Sequence, residues 1–234
     1  MILEIAGLET GYGKLRVLSG VSLSIGAESV GLFGPNGAGK TTLINTIMGM
    51  NRVWKGSVRF EGRDIGGLPT HEVARAGIAL VPQERELFPL MSVADNLALG
   101  AAFIPHAVSR KEELLEQVLA LFPILKERYR QLAGTMSGGQ QRQVAIGRAL
   151  MANPKLLILD EPSLGLQPSI VAEVFERLGQ LKKTVSILVT EQNVRESLRA
   201  VDRGLVLENG AIVIEGTAAE LARNPHVERS YLGI

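Results

Sequence analysis

The chain has 234 residues, 46% apolar and 21% charged, with a net charge of +1. That is the composition of a globular protein able to build one sizeable core, and the near-neutral balance argues against nucleic acid or an anionic membrane surface as partner. Cysteine is absent, which excludes disulfides, thiolate metal sites and thiol nucleophiles and fits a reducing compartment.

The start, Met1-Ile2-Leu3-Glu4, carries an acid where a signal peptide would carry basic residues and then a long apolar run. Two strands are predicted early, over Ile2–Ile5 and Val21–Ile25, because apolar residues alternate or nearly alternate there. Glu28 to Phe33 runs into a glycine-rich loop, and Lys40 to Met48 continues as a helix. Strand, glycine loop and helix is the layout of a phosphate-binding unit. Gly56 to Phe60 reads as a short strand, closed by the turn pair Glu61-Gly62.

From Val93 to Arg130 the pattern turns helical. Leu114, Val118 and Phe122 recur every four residues, with Leu115 and Leu119 beside them, and Pro123 interrupts the run. A helical lobe, about residues 91–152, is expected within an α/β core. The longest uncharged stretch, Asn96 to Ser109, has 14 residues and contains Pro105, short of the roughly 20 apolar residues that span a bilayer. Leu156 to Leu159 and Val185 to Val189 are continuous apolar runs, suited to parallel strands covered on both faces. A helix is predicted between them, from Ser169 to Lys183. Asn209-Gly210, flanked by Leu205–Leu207 and Ile212–Ile214, is a hairpin signal. The pattern as a whole predicts a single α/β unit over 1–234 with a mixed central sheet and a β-rich amino-terminal part.

Three motifs carry chemistry. Gly34-Pro35-Asn36-Gly37-Ala38-Gly39-Lys40-Thr41-Thr42 fits G-x-x-x-x-G-K-[ST], the Walker A loop. Its glycines let backbone N–H groups converge on phosphate oxygens, and the helix behind adds its positive end. Lys40 is expected to reach the outer phosphates and the Thr41 hydroxyl to ligate Mg²⁺. Second, the strand from Leu156 ends in Asp160-Glu161. Asp160 can hold Mg²⁺ there, often through water, and Glu161 can polarise or deprotonate the attacking water. Third, Met136-Ser137-Gly138-Gly139-Gln140 opens a helical stretch. Ser137 is a natural N-cap, and the glycines expose backbone donors, which makes a second anion site.

That third segment closely resembles the LSGGQ signature of ABC ATPases, with Met136 in place of the first leucine, and the resemblance extends over essentially the whole chain. It implies a P-loop NTPase fold of ABC type that uses ATP and Mg²⁺. It further implies that Tyr12 stacks on adenine, that Gln83 is the Q-loop glutamine near the metal, and that Glu161 is the catalytic glutamate. Ser163-Leu164-Gly165-Leu166 matches the D-loop, with Gln167 where many relatives have aspartate. Family architecture implies that Ser137, Gly138, Gly139 and Gln140 meet the γ-phosphate held by another subunit's Walker A loop. The implied partners are permease subunits in the membrane, a second ATPase subunit and a solute-binding protein outside the cytoplasm, with this chain on the cytoplasmic face of the inner membrane.

The switch histidine of the family is missing. Thr190-Glu191-Gln192-Asn193 follows the strand, and Gln192 stands at that histidine's position; His71, His106 and His226 lie elsewhere. This segment, the ending Ser230-Tyr231-Leu232-Gly233 and the compact length resemble the shorter ATPase of branched-chain amino acid importers and their urea or amide relatives. From that resemblance no regulatory carboxyl-terminal domain of the kind some sugar importers carry is expected. Soluble ABC ATPases of DNA repair, chromosome maintenance or translation are the other class. Repair and chromosome members insert a long coiled coil between Walker A and signature, whereas Lys40 and Ser137 are 97 positions apart. Translation members usually fuse two cassettes, and a small P-loop kinase would lack the signature.

Overall fold

The computed structural model describes residues 1–182, 184–192 and 194–232. Lys183, the expected end of a helix, lies outside them, as do Asn193, Gly233 and the side chain of Leu232. The chain opens with β1 (Leu3–Tyr12), β2 (Leu15–Ile25) and β3 (Ser29–Phe33), then α1 (Lys40–Ile47), β4 (Lys55–Phe60), β5 (Arg63–Asp64), α2 (Thr70–Ala76) and β6 (Ile78–Val81). A helical stretch follows: α3 (Val93–Ala101), α4 (Pro105–Val108), α5 (Lys111–Leu121), α6 (Pro123–Glu127) and α7 (Gly138–Leu150). Then come β7 (Leu156–Asp160), α8 (Pro168–Leu181), β8 (Ser186–Glu191), β9 (Arg203–Glu208) and β10 (Ala211–Thr217), before short closing helices.

Two sheets result. β2-β1-β4-β5 form an antiparallel sheet, and β10-β9-β3-β8-β7-β6 form a sheet that is parallel except for β10. The turns between antiparallel neighbours are built as expected: Glu61 and Gly62 have φ of 49° and 78°, Asn209 and Gly210 of 48° and 77°. Positive φ at both central residues matches the right-handed twist of the flanking strands.

β3, β7 and β8 are buried at every position. Their continuous apolar runs still alternate, with one set on each face. Leu156 and Ile158 point into a core shared with α1 and the antiparallel sheet, against Leu43, Ile44, Ile47, Leu3 and Ile5. Leu157 and Leu159 point into a second core with Leu97, Val118, Val144, Val174 and Phe175 from the helices. The strand that ends in Asp160-Glu161 is thus wedged from both sides.

The middle segment is helical. It breaks into α3 to α6, with Pro105 and Pro123 at the first positions of α4 and α6, where a missing N–H is tolerated. Leu114, Val118 and Phe122 are buried as the four-residue spacing predicts, and Leu115 and Leu119 are half-buried. At the other end of the chain, Glu208 Oε1 lies 2.7 Å from His226 Nε2 and accepts from the Tyr231 hydroxyl, also at 2.7 Å. His71 and His106 are exposed. No helix among the described residues is long and apolar enough to cross a membrane.

Candidate functional site

In a parallel sheet, ligands bind beyond the carboxyl ends of the strands. The loops that leave β3, β7 and β8 meet at that edge. Gly34 follows β3 so tightly beneath β9 that a Cβ there would sit 2.2 Å from the Leu207 carbonyl oxygen. Gly39, at φ 110°, would drive a Cβ to 2.6 Å from Leu18 Cδ2. Glycine is therefore required at both ends of the loop, which lets Pro35, Asn36 and Gly37 stand exposed while Ala38 and Lys40 are buried. The β9–β10 turn braces the loop from behind, because Gly210 N donates to the Ala38 carbonyl at 3.1 Å.

Lys40 is only 5% exposed. Its Nζ donates to the carbonyls of Gly34 (2.8 Å) and Pro35 (3.3 Å) and pairs with Glu161 Oε1 at 3.1 Å. Thr41 Oγ1 donates to Asp160 Oδ2 at 3.0 Å, and Asp160 Oδ1 accepts from Thr190 Oγ1 at 2.6 Å. Asp160 and Thr190 face each other because β7 and β8 pair in that register.

Glu161 adopts φ 45°, a left-handed conformation costing on the order of 1–3 kcal/mol for a residue with a Cβ. The surroundings hold it there: its N–H donates to Thr190 O (3.0 Å) and Thr190 Oγ1 (3.2 Å). Two residues on, Ser163 N and Oγ both donate to the Glu191 carboxylate, at 2.8 and 2.7 Å. Glu191 is 2% exposed. Burial pushes its pKa up, and the nearby Glu161 adds to that, while the Ser163 hydrogen bonds oppose it.

Gln83 follows β6 and is exposed. Its backbone is gripped by Arg142 of α7, whose Nη1 and Nη2 donate to the carbonyls of Pro82 (2.9 Å) and Gln83 (2.8 Å). Arg142 is 1% exposed. Burial, then the neighbouring Arg85, lower its pKa to about 10 against the opposing pull of Glu191 and Asp160.

These groups surround one cleft of about 600 Å³, lined by Asn36, Gly37, Gly39, Lys40, Thr41 and Thr42 together with Gln83, Glu161 and Gln192. Pro35, Val17 and Leu164 complete its walls. Tyr12 is half exposed at the end of β1, with its phenol facing Asn51 and Thr42, whose polar groups hold its pKa below the usual tyrosine value. Ser137, Gly138, Gly139 and Gln140 are not among the cleft's walls. They form the start of α7, where Gln140 N donates to Ser137 Oγ (3.4 Å) and Ser137 N to Gln140 Oε1 (3.1 Å), a capping box. Such a cap stabilises a helix by about 1 kcal/mol. Gly139 packs against Ile170, where a Cβ would come within 2.5 Å of Cγ2. Gln167 is exposed at the N-cap of α8 and makes no side-chain capping bond.

Val17 and Arg142 are absent from the sequence motifs, and Thr190 and Glu191 enter them only as the residues before Gln192, with no role of their own. The one signal for the last two was a pair of polar residues ending an otherwise apolar strand. For Mg²⁺, Thr41 and Asp160 present hard oxygen donors within 3.0 Å of each other. No cluster of three or more His, Cys, Asp or Glu suited to a metal occurs among the described residues. Mg²⁺ needs no such cage, because it keeps several waters and takes phosphate oxygens beside one or two protein ligands. The donor set fits.

A family model described as ABC transporter matches residues 18–164. The chain is 47% identical over 228 residues to BraG of Pseudomonas aeruginosa, a high-affinity branched-chain amino acid transport ATP-binding protein, covering 97% of each. It is 37% identical over 230 residues to LptB of Escherichia coli K12, a lipopolysaccharide export system ATP-binding protein, covering 97% of this chain and 95% of that one. Among solved structures, an ATP-binding cassette of an ABC transporter in its ADP conformation superimposes with a TM-score of 0.85 at 32% identity, covering 100% of this chain and 99% of that one.

Proposed function

The chain belongs to the ABC transporter family as an ATP-binding, ATP-hydrolysing subunit, and from that premise we propose that it energises an importer of branched-chain or related amino acids. What supports the enzymatic part of the reading most is the convergence of the phosphate loop, Gln83, Glu161 and Gln192 on one cleft. The loop glycines and the N-terminus of α1 would receive the phosphates, with Val17 and Tyr12 toward the base. Thr41, Asp160 and Gln83 would hold Mg²⁺, which, when bound, supplies charge neutralisation on the β- and γ-phosphate oxygens.

Lys40 carries three donors, now shared between two loop carbonyls and Glu161. As phosphate oxygens take those donors, the Glu161 carboxylate is released to accept a proton from the attacking water. Gln192 orients that water or the γ-phosphate: its amide offers a donor and an acceptor but cannot titrate. The donors at Ser137 to Gln140 serve the cleft of another subunit, so two chains complete each site. Permease chains, a second ATPase and a solute-binding protein outside the cytoplasm are the remaining parts, with this chain at the cytoplasmic face of the inner membrane.

The amino acid assignment is supported by 47% identity to the P. aeruginosa relative against 37% to the lipopolysaccharide relative, and by the Glu191-Gln192 pair at the end of β8. In cells lacking this chain, uptake of labelled leucine should fall to background and return with the wild-type chain but not with Lys40→Ala. Normal leucine uptake together with an envelope defect would support the export reading instead.

Gln192→Ala should slow ATP turnover by the assembled transporter while leaving ATP binding nearly intact, by less than the ~10²-fold expected for loss of the base. Gln192→His should retain appreciable activity, because an imidazole can supply the same contact. Measured kcat and nucleotide Kd separate these outcomes. An alanine variant with wild-type turnover would leave Gln192 only a part in the chain's turn after β8.

A further inference from the structure

Glu191 is a buried acid that the reaction itself does not require. A carboxylate taken out of water is costly unless it is hydrogen-bonded, and here both oxygens accept from Ser163, through its N–H and its hydroxyl, with a further bond from the Gln192 backbone. Ser163 lies inside the turn that begins with Glu161 and closes at Leu164, and Glu191 precedes Gln192. Thr190, one residue earlier, holds the Glu161 N–H and the Asp160 carboxylate. The Glu161 backbone sits at φ 45°, a conformation that persists only where neighbours over-determine it.

We propose that Glu191 is a positioning residue: its carboxylate clamps the turn carrying Glu161 to the strand end carrying Gln192, fixing the two groups relative to one another. The proposal rests on the roles given above to Glu161 and Gln192. A side chain with two polar atoms at its end bonds both the N–H and the hydroxyl of Ser163 and so sets the distance between the two segments. Precise placement matters here, because a shift of about 1 Å at a reacting group costs roughly 10²-fold in rate.

The test is steady-state ATPase kinetics of the assembled transporter with Glu191→Ala, Glu191→Gln, Ser163→Ala and Glu161→Gln, alongside ATP Kd and Tm. Glu191→Ala should lower kcat by roughly 10²-fold and leave KM, ATP Kd and Tm close to wild type. Glu191→Gln should keep most of the activity, since its carbonyl accepts from the Ser163 N–H and its amide donates to the hydroxyl oxygen. Ser163→Ala, which keeps the backbone bond, should show the same split with a smaller fall. Glu191→Ala added to Glu161→Gln should cost less than Glu191→Ala does alone, because part of its effect acts through Glu161. Wild-type kcat in Glu191→Ala and Ser163→Ala, with Glu161→Gln impaired, would overturn this proposal alone. So would a parallel loss of kcat, ATP affinity and Tm, the mark of a merely structural residue. Normal turnover by Glu161→Gln would instead overturn the assignment of the base on which the proposal stands.

Discussion

Replacing Glu161 with glutamine should reduce ATP turnover by the assembled transporter by roughly 10²-fold or more, the size expected for loss of a general base. The substitution keeps the shape of the side chain. A glutamine carbonyl can still accept from Lys40 Nζ, which lies 3.1 Å from the present carboxylate, and the backbone bonds to Thr190 that hold the left-handed turn are untouched. What disappears is the capacity to take a proton from water. ATP affinity should therefore stay near wild type while kcat collapses. Single-turnover phosphate release checks this, and near-normal release would move the base elsewhere.

The second large effect is expected on binding. Lys40→Ala removes a buried ammonium whose partners are two loop carbonyls and one carboxylate. Hydrogen bonds to charged groups contribute about 1.5–3 kcal/mol each, and each 1.4 kcal/mol is roughly tenfold in Kd. Losing two such bonds to the triphosphate should weaken ATP by about 10²-fold or more. The change also leaves the Glu161 carboxylate, 8% exposed, without its cation, so a lower Tm should accompany the lost affinity. Titration with a fluorescent ATP analogue and a thermal melt measure the two effects; unchanged affinity would refute the role of Lys40.

Much of this arrangement is legible in the sequence where chemistry is local. The loop from Gly34 to Thr42, the acids at the end of β7 and the serine cap of α7 each declare themselves within a few residues. The Asn209-Gly210 turn does so too, because its backbone angles suit few other residues. β1 was harder. It runs to Tyr12 rather than stopping near Ile5, and register shifts after Ile5, with Gly7 at φ 58°, break the alternation by which a strand is recognised. In the helical middle the break at Pro123 is legible, and Pro105 likewise begins a separate short helix. Least legible were contacts between distant segments. Arg142 on the carbonyls of Pro82 and Gln83, and Glu191 on Ser163, depend on how α7 meets the β6 loop and on the β7–β8 register, which no local pattern encodes.

Under the proposed function this cleft is half of a site, completed by the donors at Ser137 of another subunit. Sedimentation of the Glu161→Gln chain, alone and with its paired ATPase, in Mg²⁺ with and without ATP tests it most directly. The predicted result is a dimer that appears with ATP, is absent without it, and is abolished by adding Lys40→Ala. A chain that stays monomeric in both mixtures with ATP, while the wild-type monomer hydrolyses ATP at the full rate of the assembled transporter, would contradict it.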